Sequence, residues 1–212
     1  MNILKNLAIF LIFVGFSGSS FGNQVFRETV ETADEPEVFQ REYIVTESLE
    51  YSFIQTTGVY TCVALIAWEP DLKIGLLAHL DPATNIDREL ERLKNDINWR
   101  TSEITLIGGL SDSPRLFNEI EGKIIQLGGS IKTRFQNTRG SAGMNLRLNL
   151  EDGEVSTFRP RYISTDPQVA RAKISRIRSG SRLFRHEDSI GGGDPVELES
   201  TNQDPFNIFS FH

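Results

Sequence analysis

Two apolar runs, Val63-Ala64-Leu65-Ile66-Ala67 and Ile74-Gly75-Leu76-Leu77-Ala78, flank Glu69-Pro70-Asp71-Leu72. Short apolar runs bounded by a turn read as buried strands, and proline's fixed φ suits the turn. The pair predicts a buried antiparallel hairpin with a four-residue loop.

Upstream, Tyr43-Ile44-Val45 and Tyr51-Ser52-Phe53-Ile54 read as short strands, and Gly58 ends that run. Downstream the period becomes helical. Ile86, Leu90, Leu93 and Ile97 predict a helix over 83–99, capped by Thr84 with Asp87 as an approximate capping box. Ile104-Thr105-Leu106-Ile107 is a buried strand ending at Gly108-Gly109. Ser113-Pro114 opens a second helix with the stripe Leu116, Phe117, Ile120, Ile124 and Leu127, stopped by Gly128. Three strands follow over 130–136, 144–150 and 154–159, the last two joined by Glu151-Asp152-Gly153. Asn145, Arg147 and Asn149 alternate with leucines, which predicts one solvated strand face. Asp166-Pro167 opens a last amphipathic helix to about Arg178, and Gly180 stops it. The expectation is an α+β (mixed α/β) domain with a layered β-sheet core and flanking helices.

The N-terminus carries Lys5, an apolar stretch from Leu7 to Phe16, and Ser20-Phe21-Gly22. That is the pattern of a secretory signal peptide over 1–22. The apolar stretch is shorter than the roughly 20 residues of a spanning helix, so membrane attachment requires that it stay uncleaved as an anchor. An exported, periplasmic or secreted protein is expected, with a polar lead-in over 23–40, one domain over 41–185 and a flexible tail over 186–212. The tail's Phe206, Phe209 and Phe211 suit either docking back on the domain or a partner. A net charge of −7 argues against nonspecific nucleic-acid binding. His186 and His212 have no partner at metal-ligand spacing, and no phosphate-binding glycine motif is present, so neither metal nor cofactor is expected. Asp112, Asp152 and Asp166 sit at turns or caps and are read as structural. The basic stretch from Arg171 to Arg185 reads as a solvated helix face or a docking surface for an acidic partner or lipid head groups.

The chain has one cysteine and so forms no internal disulfide. A lone thiol in an exported chain is either reactive or intermolecular, or a small buried hydrophobe. If Trp68 faces Lys73 across the hairpin loop, Cys62 faces His79 at its open end, on the same side of the sheet. A thiol beside an imidazole is the arrangement nucleophilic catalysis needs. A thiol so activated is expected to lie below its ordinary pKa.

The segment from Thr56 through Cys62 to Ala64, followed by Glu69 to Pro82, resembles the CheD family of receptor glutamine deamidases. That family has a T-x-G-x-G-S-C-V strand, a D-P-x-x-K-x-G turn and an A-H-x-x-L-P segment. Its catalytic Cys and His stand seventeen residues apart, as Cys62 and His79 do, and its triad Thr lies six before the Cys, where Thr56 stands. Gly108-Gly109, Asn118, Gly128-Gly129 and the stretch from Gly140 to Arg147 follow later family positions loosely. Related active sites occur in the catalytic domains of cytotoxic necrotizing factor toxins. The resemblance implies a Cys62 nucleophile, a His79 general base and an orienting Thr56, acting without cofactor on a protein that carries an exposed glutamine. Tyr60-Thr61 replaces the family's G-S, and Asp81 stands where the family is apolar. The rivals are a secreted binding module that keeps the fold without catalysis, and a transglutaminase-like cysteine enzyme or a protease on the same thiol.

Overall fold

A computed structural model describes residues 26–30, 35–159 and 181–186. The predicted signal segment, the helix expected over 166–178 and the tail beyond His186 lie outside the described residues.

The described residues form a sheet-rich α+β fold of two mixed sheets and two helices. The six-stranded sheet runs β11(Ser181–Arg182), β3(Glu42–Glu47), β6(Ile74–Leu80), β5(Val63–Glu69), β7(Glu103–Leu110), β8(Ile131–Asn137). The five-stranded sheet runs β1(Glu28–Val30), β10(Val155–Arg159), β9(Met144–Asn149), β4(Phe53–Val59), β2(Glu37–Val38). Its two edge strands come from the stretch read as a lead-in, each parallel to its neighbour.

Strand alternation divides the hairpin's side chains between two cores. Val63, Leu65 and Ala67 of β5, with Leu76, Ala78 and Leu80 of β6, pack on helices α1(Ile86–Leu93) and α2(Arg115–Gln126). Ala64, Ile66, Trp68 and Leu77 face the other way, onto Ile54, Leu146 and Leu148 of the five-stranded sheet. Among the described residues, helical cover is thus two helices on one sheet face. α1 buries Ile86, Leu90 and Leu93 and is shorter than predicted. Its cap is Asn85, whose side chain accepts from the Arg88 N–H, while Thr84 bonds Asp81 instead. Past Leu93, Asn95 and Asp96 donate three residues back, which tightens and ends the helix. α2 starts one residue later than predicted, with Pro114 at the cap position and no side-chain cap.

Gly58 does not end its strand. β4 runs through it to Val59 with a register irregularity after Thr56. The predicted wet face of β9 is also corrected. Arg147 is 3% exposed, its Nη2 lies 2.9 Å from Glu35 Oε2, and its guanidinium sits over the Phe53 and Phe158 rings. A carboxylate from the N-terminal stretch, more than a hundred positions away, compensates a charge that would otherwise be too costly to bury. The turn between β9 and β10 carries Gly153 at φ +73°, where a Cβ would come within 2.2 Å of the Trp68 ring.

Candidate functional site

The open end of the β5–β6 hairpin carries the residues singled out above. The observed register is displaced by two positions from the expected one: Ala64, not Cys62, stands opposite His79, and Val63 pairs with Leu80. The strands run on to Glu69 and Ile74, and residues 70–73 form the loop, with Lys73 at φ +53°. A displacement of two preserves the face. His79 shares the face of Ala64, toward the five-stranded sheet, and Cys62, two residues before Ala64, falls diagonal to His79 rather than directly opposed to it.

Thr56 reaches His79 from that opposite sheet. Its Oγ1 lies 2.8 Å from His79 Nδ1, and it donates to the Val38 carbonyl at 2.7 Å. A hydroxyl has one proton, and Val38 holds it. His79 Nδ1 therefore carries the hydrogen and donates it to Thr56. That leaves Nε2 unprotonated, the form that accepts a proton. Both side chains are buried, Thr56 completely and His79 to 3% exposure.

Cys62 is 8% exposed, just before β5. Its carbonyl accepts from the Gly109 N–H at 2.8 Å. Its own N–H has no acceptor among the described residues. The Asn137 side chain donates to the carbonyls of Val59 and Tyr60, fixing the turn that leads into the thiol. Tyr60, where the resembling family has glycine, accepts the Gly140 N–H on its hydroxyl at 2.9 Å.

Electrostatics make this a neutral pair. Burial pushes the Cys62 thiol above its ordinary value, and the Asp81 carboxylate adds to the rise, against a hydrogen bond with Thr61 that lowers it. The expected depression of the thiol is thus reversed, because desolvation disfavours the thiolate. Burial lowers His79 to about 4, with Asp81 acting in the opposite direction. Asp81 itself is buried. Its Oδ1 accepts from the Ala83 N–H and Thr84 Oγ1, its Oδ2 accepts from Gln40 Nε2, and Arg41 Nε lies 3.8 Å away.

A depressed His79 makes stability pH-dependent. Between pH 6.5 and about 4 the unfolded chain binds a proton at this site that the native site refuses. Stability is fully present above pH 6.5 and falls as pH drops through this window, by about 3 kcal/mol in total. His79→Gln is expected to remove that component. The check is urea unfolding from pH 4 to 8: identical pH slopes in the two proteins would contradict it. The Glu35 carboxyl, raised by burial, is common to both proteins and cancels in the difference.

Thr61, the residue before Cys62, lines a cleft of about 300 Å³ together with Pro82, Leu110, Leu116, Arg115 and His186. Sequence reasoning gave His186 no role. It arrives because Arg185 bridges Thr84 and the His186 N–H bonds the Ala83 carbonyl at 3.1 Å, a contact across a hundred residues that leaves no local signal. Among the described residues no cluster of three or more His, Cys, Asp or Glu side chains is placed to hold a metal.

Neither protein-family models nor curated protein sequences give a match. Among solved structures, the Bacillus licheniformis hypothetical protein YfiH is similar at a TM-score of 0.32 and 9% identity, over 45% of this chain and 50% of that one. The chain spans half the length of that protein, and a likeness at this level carries no argument about chemistry.

Proposed function

We propose that this chain is an exported protein-glutamine deamidase of the CheD type. The observation that carries the reading is the Thr56–His79 hydrogen bond, which presents an unprotonated imidazole Nε2 on the face that also bears Cys62. A buried imidazole locked in one tautomer by a neighbouring hydroxyl is what a general base requires.

Cys62 Sγ attacks the side-chain amide carbon of a glutamine while its proton passes to His79 Nε2. Because both groups rest uncharged, proton transfer accompanies attack. The oxyanion is met by the free Cys62 N–H. His79 hands the proton to the departing ammonia, leaving a thioester on Cys62. Water then attacks the thioester, its proton passing through His79 back to the sulfur, and glutamate is released. Thr56 orients the imidazole throughout, and the cleft beside Thr61 and Pro82 accommodates the chain that bears the glutamine.

The test is incubation of the protein with panels of folded proteins that expose glutamines. Ammonia release is expected in step with glutamine-to-glutamate conversion by mass spectrometry, and both should vanish after alkylation of Cys62. Incorporation of an added primary amine in place of water would assign a transglutaminase. Cleavage of the peptide bond would assign a protease. No product of any kind would leave a binding module.

A further inference from the structure

Asp81 stands where the resembling family is apolar, and the scheme above gives it no role. The β5–β6 ladder ends at the Val63–Leu80 pair, and Cys62 and Asp81 are the next residues on either side, which places them together at the mouth of the hairpin. Its side chain is only 8% exposed, so little water screens its charge. The other partner of His79, Thr56, is neutral and supplies no charge. We infer that Asp81 is the charged third partner of the Cys62–His79 pair, holding the proton on the thiol at rest and stabilising the His79 imidazolium while the thiol attacks. This rests on the deamidase reading for its catalytic half.

The argument is one of charge and place. Asp81 acts on both members of the pair, raising the thiol and raising the imidazole. At rest this disfavours a thiolate beside the carboxylate. In the transition state the negative charge has left sulfur for the amide oxygen, while the imidazolium remains next to Asp81. The resting pair is neutral, so the carboxylate gains most from the imidazolium that forms as the thiol attacks, and that difference raises turnover. Asp81 is held by Thr84, Ala83 N–H and Gln40, and Arg41, from the turn between β2 and β3, partly offsets its charge. The charged or titratable groups lining the cleft at Thr61 and Pro82 are Arg115 and Glu119 on α2, and His186. Among the described residues, Asp81 is the carboxylate that acts on both members of the pair.

The experiment is the pH profile of iodoacetamide alkylation of Cys62 in the full chain, with ammonia release measured alongside. In Asp81→Asn the alkylation midpoint is expected to fall by about one pH unit, the effect of removing a like charge at short range. Arg41→Gln uncovers the carboxylate, and its midpoint is expected to rise. Deamidation by Asp81→Asn should lose about tenfold in kcat with KM little changed. A purely structural Asp81 would not move the two midpoints in opposite directions. A folded Asp81→Asn protein with an unmoved midpoint, or both variants shifting the same way, overturns the inference. Should Asp81→Asn fail to fold, an unmoved Arg41→Gln midpoint overturns it alone. Opposite shifts in the two variants of a protein that releases no ammonia would uphold the charge coupling and overturn the deamidase reading.

Discussion

Cys62→Ser is expected to lower deamidation by roughly three orders of magnitude or more while leaving the fold in place. The substitution is close to isosteric at a site only 8% exposed, so its effect on stability should stay within about 1 kcal/mol. Its effect on chemistry is large because of the base available. His79 is pushed down to about 4, which makes its Nε2 a weak acceptor. A weak base can assist a thiol, whose proton is comparatively acidic. It cannot assist an alcohol to the same degree. The diagonal placement of Cys62 relative to His79 adds to this, since sulfur's longer bonds and diffuse lone pairs tolerate an offset approach better than oxygen does. Circular dichroism and urea unfolding would establish that the variant is folded, and ammonia release would give the loss. Full turnover in a folded Cys62→Ser protein would remove Cys62 from the mechanism.

The hairpin was legible because its chemistry is local. Apolar runs on both sides of Pro70 fix two strands and their shared faces, and face is preserved whenever a register moves by an even number. The finer register was not legible, since it depends on where the loop begins. Lys73 adopts a positive φ that lets residues 70–73 make the turn, carrying Glu69 and Ile74 into the ladder. Thr56 was legible only through its position relative to Cys62 in a family pattern. Nothing local indicates that a threonine on β4, with Gly58 bulging two residues later, would bond an imidazole in the opposite sheet. Asp81 shows how polarity misleads in the other direction. Asp81 carries a charge and is nevertheless buried, because Thr84, Gln40 and a backbone N–H satisfy its oxygens. Arg147, His186 and the two N-terminal strands were missed for one reason: each is placed by a partner far away in sequence.

Gly108 ties the site to the fold, and Gly108→Ala is expected to cost about 2–6 kcal/mol. Its φ of +110° lies where a side chain is strained, at about 1–3 kcal/mol. A Cβ there would also stand 2.3 Å from the Cys62 carbonyl oxygen and 2.6 Å from Val59 Cγ1. The oxygen is backbone, already held by the Gly109 N–H, so it cannot swing aside as a flexible side chain would. Overpacking of this kind adds about 1–3 kcal/mol. A loss of that size is a large fraction of the 5–15 kcal/mol that holds a typical domain together. Gly122→Ala offers the means to measure it. Gly122 is exposed within α2 and its Cβ would meet nothing, so alanine there should stabilise by about 0.5–1 kcal/mol. In a Gly108→Ala, Gly122→Ala protein that remains folded, the Cys62 carbonyl must still retreat from the new methyl. The segment from Val59 to Cys62 must then move with it, and the alkylation profile of the thiol should change. Urea unfolding that finds Gly108→Ala within about 1 kcal/mol of the wild type would mean that β7 can part from Cys62 at little cost. The nucleophile would then not be fixed by the sheet in the way the structure implies.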